Sequence, residues 1–304
     1  MKKRKFIINP VSGKGINQST IDELKAFFVK RIGDFDYTFS DNTEDIVTQT
    51  RLALKMGYEQ IVAVGGDGTV HQVVNGFFEN GNHINAEASL AVSNLGTGSD
   101  YFKTLQAGNR KLSWMQMIIE DRIQEVDIGY VNFASNKLPN HFFVNMAGIG
   151  ISSDITLIKS RYPGWFPKSL KYIAPTVQAI IGHQPTKAVV TLDEQEIEVN
   201  LTALFVCKGT YAGGGMKFGA GADLRDGYFD VTVVGDFKVA ELLSRLDRLY
   251  SGDVSKIKGV QKLKAQNIKV TSQTPIGVEL DGENCGSTDL SIELKPKFLK
   301  VCIA

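Results

Sequence analysis

The sequence predicts an α/β protein in two parts: a parallel sheet with helices on both faces, followed by a largely antiparallel β domain. Three observations carry this. Over the first third of the chain, short apolar runs alternate with amphipathic stretches, the β-α-β-α order that builds a doubly covered parallel sheet. Near residue 123 the pattern changes to short alternating strands, punctuated by turn signals such as Asp226-Gly227 and Asp281-Gly282. The 304 residues, 43% hydrophobic and 22% charged, fit a folded globular chain of one large domain or two ordinary ones.

The elements follow in order. Lys5 to Ile8 reads as a buried strand and Ile21 to Ile32 as a helix with apolar residues at helical spacing. Tyr37 to Phe39 is a short strand. Thr43 to Met56 is a helix, with Asp41, Asn42 and Thr43 as cap candidates and Gly57 as its stop. Ile61 to Val64 is a continuous apolar strand, followed by a glycine turn and a helix from about Thr69 to Phe78; Ser89 to Val92 is the next strand. In the second part, strands are predicted at Ile123 to Tyr130, Phe142 to Met146, Ala188 to Leu192, Leu201 to Val206 and Tyr228 to Val234. Helical pieces at Ile155 to Gly182 and Val239 to Tyr250 interrupt them. The expected division is 1–122 and 123–295, tightly joined, with the site in the cleft between them.

Charge and cysteines narrow the class. A net charge of +1 supplies no global field toward nucleic acid, so none is expected as a partner. Cys207, Cys285 and Cys302 form no CxxC pair, which fits a reducing compartment. The apolar run Phe6-Ile7-Ile8 behind the basic Lys2-Lys3-Arg4-Lys5 is too short for a signal-peptide core. No stretch approaches the roughly 20 apolar residues of a membrane span. A cytoplasmic protein is expected. His71, His83, His141 and His183 show no metal-ligand spacing, and zinc is not expected.

Three glycine turns each follow an apolar strand of the first part: Asn9-Pro10-Val11-Ser12-Gly13-Lys14-Gly15, Gly65-Gly66-Asp67-Gly68-Thr69, and Leu95-Gly96-Thr97-Gly98-Ser99-Asp100. In an open parallel sheet, turns leaving the carboxyl ends of strands converge on one edge. Glycines there let backbone N–H groups approach phosphate oxygens, and the following helix adds its positive end. Ser12, Thr69 and Thr97 add hydroxyls and Lys14 a charge. Neither GxGxxG nor a Walker lysine motif occurs in the sequence. Asp67 and Asp100 end two of the turns. Carboxylates beside phosphates imply a bridging divalent cation; the alternative is that each caps its helix.

These residues resemble the diacylglycerol kinase catalytic-domain superfamily. That group includes soluble bacterial diacylglycerol kinases, sphingosine and ceramide kinases and phosphatidylglycerol-kinase-like proteins. Asn9-Pro-Val-Ser-Gly13, Gly65-Gly-Asp-Gly-Thr69 and Gly96-Thr-Gly-Ser-Asp100 resemble its signature. Asn145-Met-Ala-Gly-Ile-Gly150, Tyr211-Ala-Gly-Gly-Gly-Met216, Asp226-Gly-Tyr-Phe-Asp-Val231 and Asp281-Gly-Glu283 look like further family blocks, in family order. The likeness spans essentially the whole chain. It implies an N-terminal three-layer α/β domain, similar to NAD kinase and phosphofructokinase, that binds ATP. It also implies a C-terminal β-sandwich-like domain that takes the lipid acceptor, and a last strand (296–304) returning to the first.

The resemblance also implies residue roles. Gly65, Gly66, Asp67, Gly68, Thr69, Gly96 and Thr97 would hold the nucleotide, with Asn9, Ser12 and Thr43 assisting. Glu283 would be the general base, with Asp67 as a second catalytic residue. Asp223, Asp226 and the carbonyl of Tyr228 match a structural Mg²⁺ site, tied through water to Asp67 and Asp100. Two departures stand out: Ser99 where the family commonly has Asn, and Gly219 where it usually has proline.

Independently of the family, Asp281-Gly282 is a hairpin signal that places Glu283 at a strand start. A carboxylate suits the one task phosphoryl transfer leaves to a side chain, removal of the hydroxyl proton; the alternative, which the residues favour without the family resemblance, is an ordinary exposed hairpin with a solvated Glu. Ser160-Arg161-Tyr162-Pro163-Gly164-Trp165-Phe166-Pro167-Lys168, with Lys159 and Lys171 nearby, sets aromatic rings among cations. That mixture suits transient docking at the inner face of a membrane; the alternative is a loop packing its rings on the second domain. A homodimer is compatible with the sequence. Competing readings are an NAD-kinase-like enzyme and a nucleotide-binding regulator without catalysis.

Overall fold

The computed structural model describes residues 2–96, 98–106, 111–135, 138–162, 170, 173–236, 248, 251–252 and 259–304. The chain forms two compact units, Met1–Val126 with Lys297–Ala304, and Asp127–Pro296.

The first unit runs β1 (Arg4–Ile8), α1 (Gln18–Ile32), β2 (Asp36–Phe39), α2 (Thr43–Lys55), β3 (Gln60–Val64), α3 (Asp67–Gly76), a small hairpin of β4 (Phe78–Glu79) and β5 (Asn82–His83), β6 (Ser89–Val92), α4 (Asp100–Leu105) and α5 (Trp114–Glu120). β2, β1, β3 and β6 lie side by side and parallel. Phe6, Ile7, Ile8 and Ile61 to Val64 are fully buried, because helices cover both faces of such a sheet and leave no polar side. Phe28 of α1 packs edge-on against Phe6 and Trp114, and Phe35 stacks on Phe6 at 4.0 Å.

Of the three cap candidates for α2, Asn42 takes the role: its side chain accepts from the Asp45 N–H at 3.0 Å. α3 starts two residues before the predicted Thr69. Gly66 stays extended as its N-cap, so Asp67 and Gly68 belong to the first helical turn. α4 and α5 were not predicted; α4 is six residues long, too short to show a period.

The second unit begins within β7 (Ile123–Phe133). It continues through β8 (His141–Phe143), β9 (Met146–Gly150), α6 (Ile151–Ser160), α7 (Ile173–Gly182), β10 (Thr186–Leu192), β11 (Gln195–Leu201), β12 (Ala203–Cys207), β13 (Phe229–Val234), β14 (Val260–Ala265), β15 (Asn267–Ser272), β16 (Gly277–Leu280), β17 (Glu283–Ser287) and β18 (Leu290–Cys302). One antiparallel sheet has the order β11-β10-β15-β18, and the other β14-β13-β12-β9-β16-β17. Val190, Ile268 and Ile292 of the first share one core with Ile149, Leu204, Val231 and Val278 of the second, which makes the unit sandwich-like. The end of β18 belongs to the first unit, where Lys300 and Val301 pair in parallel with Ser89 and Leu90 of β6.

Several readings change here: the predicted helical piece Ile155 to Gly182 is the two helices α6 and α7, and the predicted strand Leu201 to Val206 begins at Ala203, with Leu201 ending β11. The predicted strand Phe142 to Met146 is two strands, broken at Val144-Asn145, where the backbone N–H groups turn to a carboxylate instead of a ladder. β11 escaped the apolar-run criterion because it is a polar edge strand, Gln-Glu-Ile-Glu-Val-Asn-Leu, with its Glu residues exposed. The helix predicted at Val239 to Tyr250 lies almost wholly outside the described residues, as do Trp165, Phe166, Lys168 and Lys171.

Candidate active site

In the first unit the three glycine turns leave the carboxyl ends of β1, β3 and β6 and are locked together. The Asn9 side chain donates to Thr69 Oγ1 at 3.2 Å, joining the first turn to the second. Asp67 Oδ1 accepts the Tyr101 N–H at 3.1 Å, joining the second to the helix behind the third. Two close approaches require glycine. A Cβ on Gly96 would stand 2.2 Å from the Gly66 Cα, and one on Gly13 would stand 2.1 Å from the Leu95 carbonyl oxygen. The turns therefore meet backbone to backbone, as the sequence predicted for loops on one sheet edge.

At their junction α3 begins without a side-chain cap. Gly66 has no side-chain oxygen to cap the first-turn N–H groups, its carbonyl accepting only from the Val70 N–H at 3.1 Å, which leaves the helix start disposed toward an anion. Thr69 is buried beneath it. Ser12 closes its own turn, its N–H donating to the Asn9 carbonyl at 3.2 Å and its carbonyl accepting from Gly15 at 2.9 Å. Thr43 is exposed at the first position of α2. Asp100 is buried at the start of α4 and receives the Lys103 ammonium at 2.7 Å. Ser99 adopts a left-handed conformation at φ 51° as the N-cap of α4 without a side-chain capping bond, a conformation Asn adopts more readily. Thr97 lies outside the described residues.

In the second unit, the hairpin β16–β17 turns through Asp281 and Gly282, with φ 53° and 91°. Left-handed backbone at both central residues is the signature of a tight two-residue turn. Leu280 pairs with Glu283, so Glu283 opens β17, half-buried. The turn is held from both sides. Asp281 accepts the N–H groups of Val144, Asn145 and Met146 at 3.2, 2.9 and 3.1 Å. The buried Glu279 accepts the Gly282 N–H at 2.7 Å. None of these four bonds was read from the sequence; the signal for Glu279 was a buried-phase Glu in an otherwise apolar strand, Gly-Val-Glu-Leu. Cys285 packs against the sandwich core and donates to the Glu283 carbonyl at 3.3 Å.

The loop Asp223–Tyr228 of this unit holds a charge network. Lys208, fully buried at the end of β12, donates to Asp127 Oδ2 at 3.1 Å, Asp226 Oδ1 at 3.0 Å and the Tyr228 carbonyl at 2.8 Å. Lys264 donates to Asp226 Oδ2 at 2.6 Å. Burial pushes the Asp226 carboxyl up, but the hydrogen bonds from Lys264, Lys208 and the Tyr228 N–H outweigh it and hold the group below the usual carboxylate range. Asp230, 3.9 Å from Lys264, shifts the other way because burial dominates there. Asp223 is exposed and accepts the Arg225 N–H at 2.9 Å. Two oxygens that the family resemblance assigns to Mg²⁺, on Asp226 and Tyr228, thus already face an ammonium. Lys208 and Asp127 escaped sequence reading because their partners are distant in the chain.

Among the described residues no helix is long and apolar enough to cross a membrane. Residues 3–131 match the family model of the diacylglycerol kinase catalytic domain. Residues 147–303 match that of the YegS C-terminal NAD kinase beta sandwich-like domain. A diacylglycerol kinase of Staphylococcus saprophyticus is 27% identical over 291 residues, covering 94% of this chain and 90% of that protein. One from Staphylococcus haemolyticus is 27% identical over 305 residues, covering 98% and 87%. A crystal structure from Bacillus anthracis str. Sterne superposes with a TM-score of 0.79 at 22% identity over 100% of this chain and 97% of that one. A second, of a diacylglycerol kinase from the same organism, gives 0.73 at 20% identity with the same coverage. With both halves matched in order on the fold described, the chain belongs to the diacylglycerol kinase catalytic-domain family with a YegS-type C-terminal domain.

Proposed function

We propose that this protein is a lipid kinase, transferring the γ-phosphoryl group of Mg·ATP to a hydroxyl of a diacylglycerol-like or sphingoid-like lipid. The observation that carries the reading is the junction of the three glycine turns over the uncapped start of α3. Backbone N–H groups there suit the nucleotide phosphates, whose charge the helix end complements. Asn9 orients the Thr69 hydroxyl, and the Tyr101 N–H orients Asp67. Both carboxylates, Asp67 and Asp100, suit the surroundings of a magnesium nucleotide, with the metal arriving as part of the substrate.

Glu283 takes the proton from the acceptor hydroxyl. The hydroxyl oxygen forms its bond to the γ-phosphorus, the bond from that phosphorus to the bridging oxygen breaks, and ADP leaves. Asp281 and Glu279 keep the Glu283 turn in one conformation, and such fixing is what positioning catalysis requires. The acceptor is drawn from the inner face of the membrane by peripheral contact through the segment from Lys159 to Lys171.

The test is transfer of radiolabel from γ-labelled ATP to a panel of diacylglycerol, a sphingoid base, phosphatidylglycerol, a polyprenol and NAD. Label in the organic phase supports the lipid-kinase reading. Label on NAD alone supports the NAD-kinase-like alternative, and no transfer supports a regulator.

A further inference from the structure

We infer that Lys208 is a built-in cation, its ammonium serving the Asp127–Asp226–Tyr228 oxygen cluster in place of a structural divalent ion. Lys208 follows the continuously buried strand Ala203–Cys207 and has no solvent exposure. A lysine there is costly unless its charge is met. The cluster meets it fully: two carboxylates and one carbonyl accept its three N–H bonds at 2.8 to 3.1 Å. Asp127 is as buried as the lysine and also accepts the Gly227 N–H at 2.9 Å. Its own N–H donates to the Leu224 carbonyl at 2.7 Å. The ammonium therefore pins β7, β12 and the loop Asp223–Tyr228 at one point, the task of a structural metal.

The same oxygens are hard-cation ligands. Mg²⁺ would need them at about 2.0–2.1 Å in octahedral array, competing for the lone pairs that Lys208 and Lys264 use. Charge points the same way. Asp127, Asp226 and, at 3.9 Å, Asp230 face Lys208 and Lys264, so ammonium groups already supply the positive charge at these oxygens. The residues present do not fit a second cation there. The inference does not rest on the kinase reading, and its test uses neither nucleotide nor lipid.

The experiment is Mg²⁺ titration by calorimetry, with thermal melts in EDTA and in excess Mg²⁺, on the nucleotide-free full chain. Wild type is expected to show no saturable Mg²⁺ binding and the same melting temperature in both media. Lys208→Asn removes the ammonium and leaves the oxygens, so its melting temperature is expected to rise by several degrees with Mg²⁺, as ligand linkage requires. Saturable binding of one Mg²⁺ to wild type that is lost in Asp226→Asn would overturn the inference. So would a folded Lys208→Asn protein indifferent to Mg²⁺. If that variant does not fold at any Mg²⁺ concentration, the wild-type titration alone decides.

Discussion

Asp281 accepts the Asn145 N–H at 2.9 Å across 136 positions of sequence. One buried carboxylate thereby fixes the turn that carries Glu283 to the start of β9. It accepts the Val144 and Met146 N–H groups as well, so the turn moves only if the strand start moves with it. Asp281→Ala leaves three N–H groups without their acceptor. Charge-assisted bonds of this kind contribute about 1.5–3 kcal/mol each and are not additive. A loss of about 3 kcal/mol in urea unfolding is expected, with transfer activity falling further than stability explains.

Glu283→Gln keeps the shape and removes the base. A rate loss on the order of 10²–10⁴ is expected, with nucleotide affinity nearly unchanged, because the amide keeps the side chain's shape and the glycine turns that hold the phosphates are untouched. Single-turnover transfer together with nucleotide titration separates the two effects. Full activity in Glu283→Gln would remove the base assignment.

Gly96→Ala sets a Cβ 2.2 Å from the Gly66 Cα. Neither backbone can yield without opening the junction of the second and third turns. Nucleotide affinity is expected to fall at least tenfold, about 1.4 kcal/mol, while the second unit keeps its fold by near-ultraviolet dichroism. Unchanged affinity would show that the turns do not hold phosphate together.

Much of this was legible in the sequence because it is local. Asn9 to Gly15, Gly65 to Thr69 and Gly96 to Asp100 are contiguous, each after an apolar strand, and Asp281-Gly282 announces its own turn. What escaped was carried by distant pairs. Lys208 meets Asp127 across 81 positions and Asp226 across 18, and no periodicity couples such residues. Asp281 read as a turn residue, but its grip on Asn145 appears only once β9 and β16 are paired.

The Asp226 carboxyl is held below its ordinary range by Lys264 and Lys208. A depressed carboxylate contributes stability that is present above its unfolded pKa and lost as pH falls through the folded value. The loss therefore falls below about pH 4. Asp226→Asn should flatten the acid limb of the stability–pH curve there. An unchanged acid limb would show that the lysines do not hold the ionised form.

Trp165 and Phe166 among Arg161, Lys168 and Lys171 suit an anionic surface, where each cation contributes about 1 kcal/mol. Wild type should cosediment with vesicles containing anionic lipid and be released by salt. Trp165→Ala with Phe166→Ala should weaken vesicle binding and preserve activity on detergent-dispersed lipid. A sharp loss of stability in that double variant would instead make the rings packing residues.

The most direct test of the central claim is product stoichiometry. Wild type is incubated with Mg·ATP and mixed micelles of diacylglycerol or a sphingoid base, and products are followed by phosphorus NMR and mass spectrometry. The account predicts one phosphorylated lipid for each ADP formed, with both products suppressed together in Glu283→Gln. ADP and inorganic phosphate without phosphorylated lipid, or phosphate carried only by a water-soluble nucleotide acceptor, would contradict it.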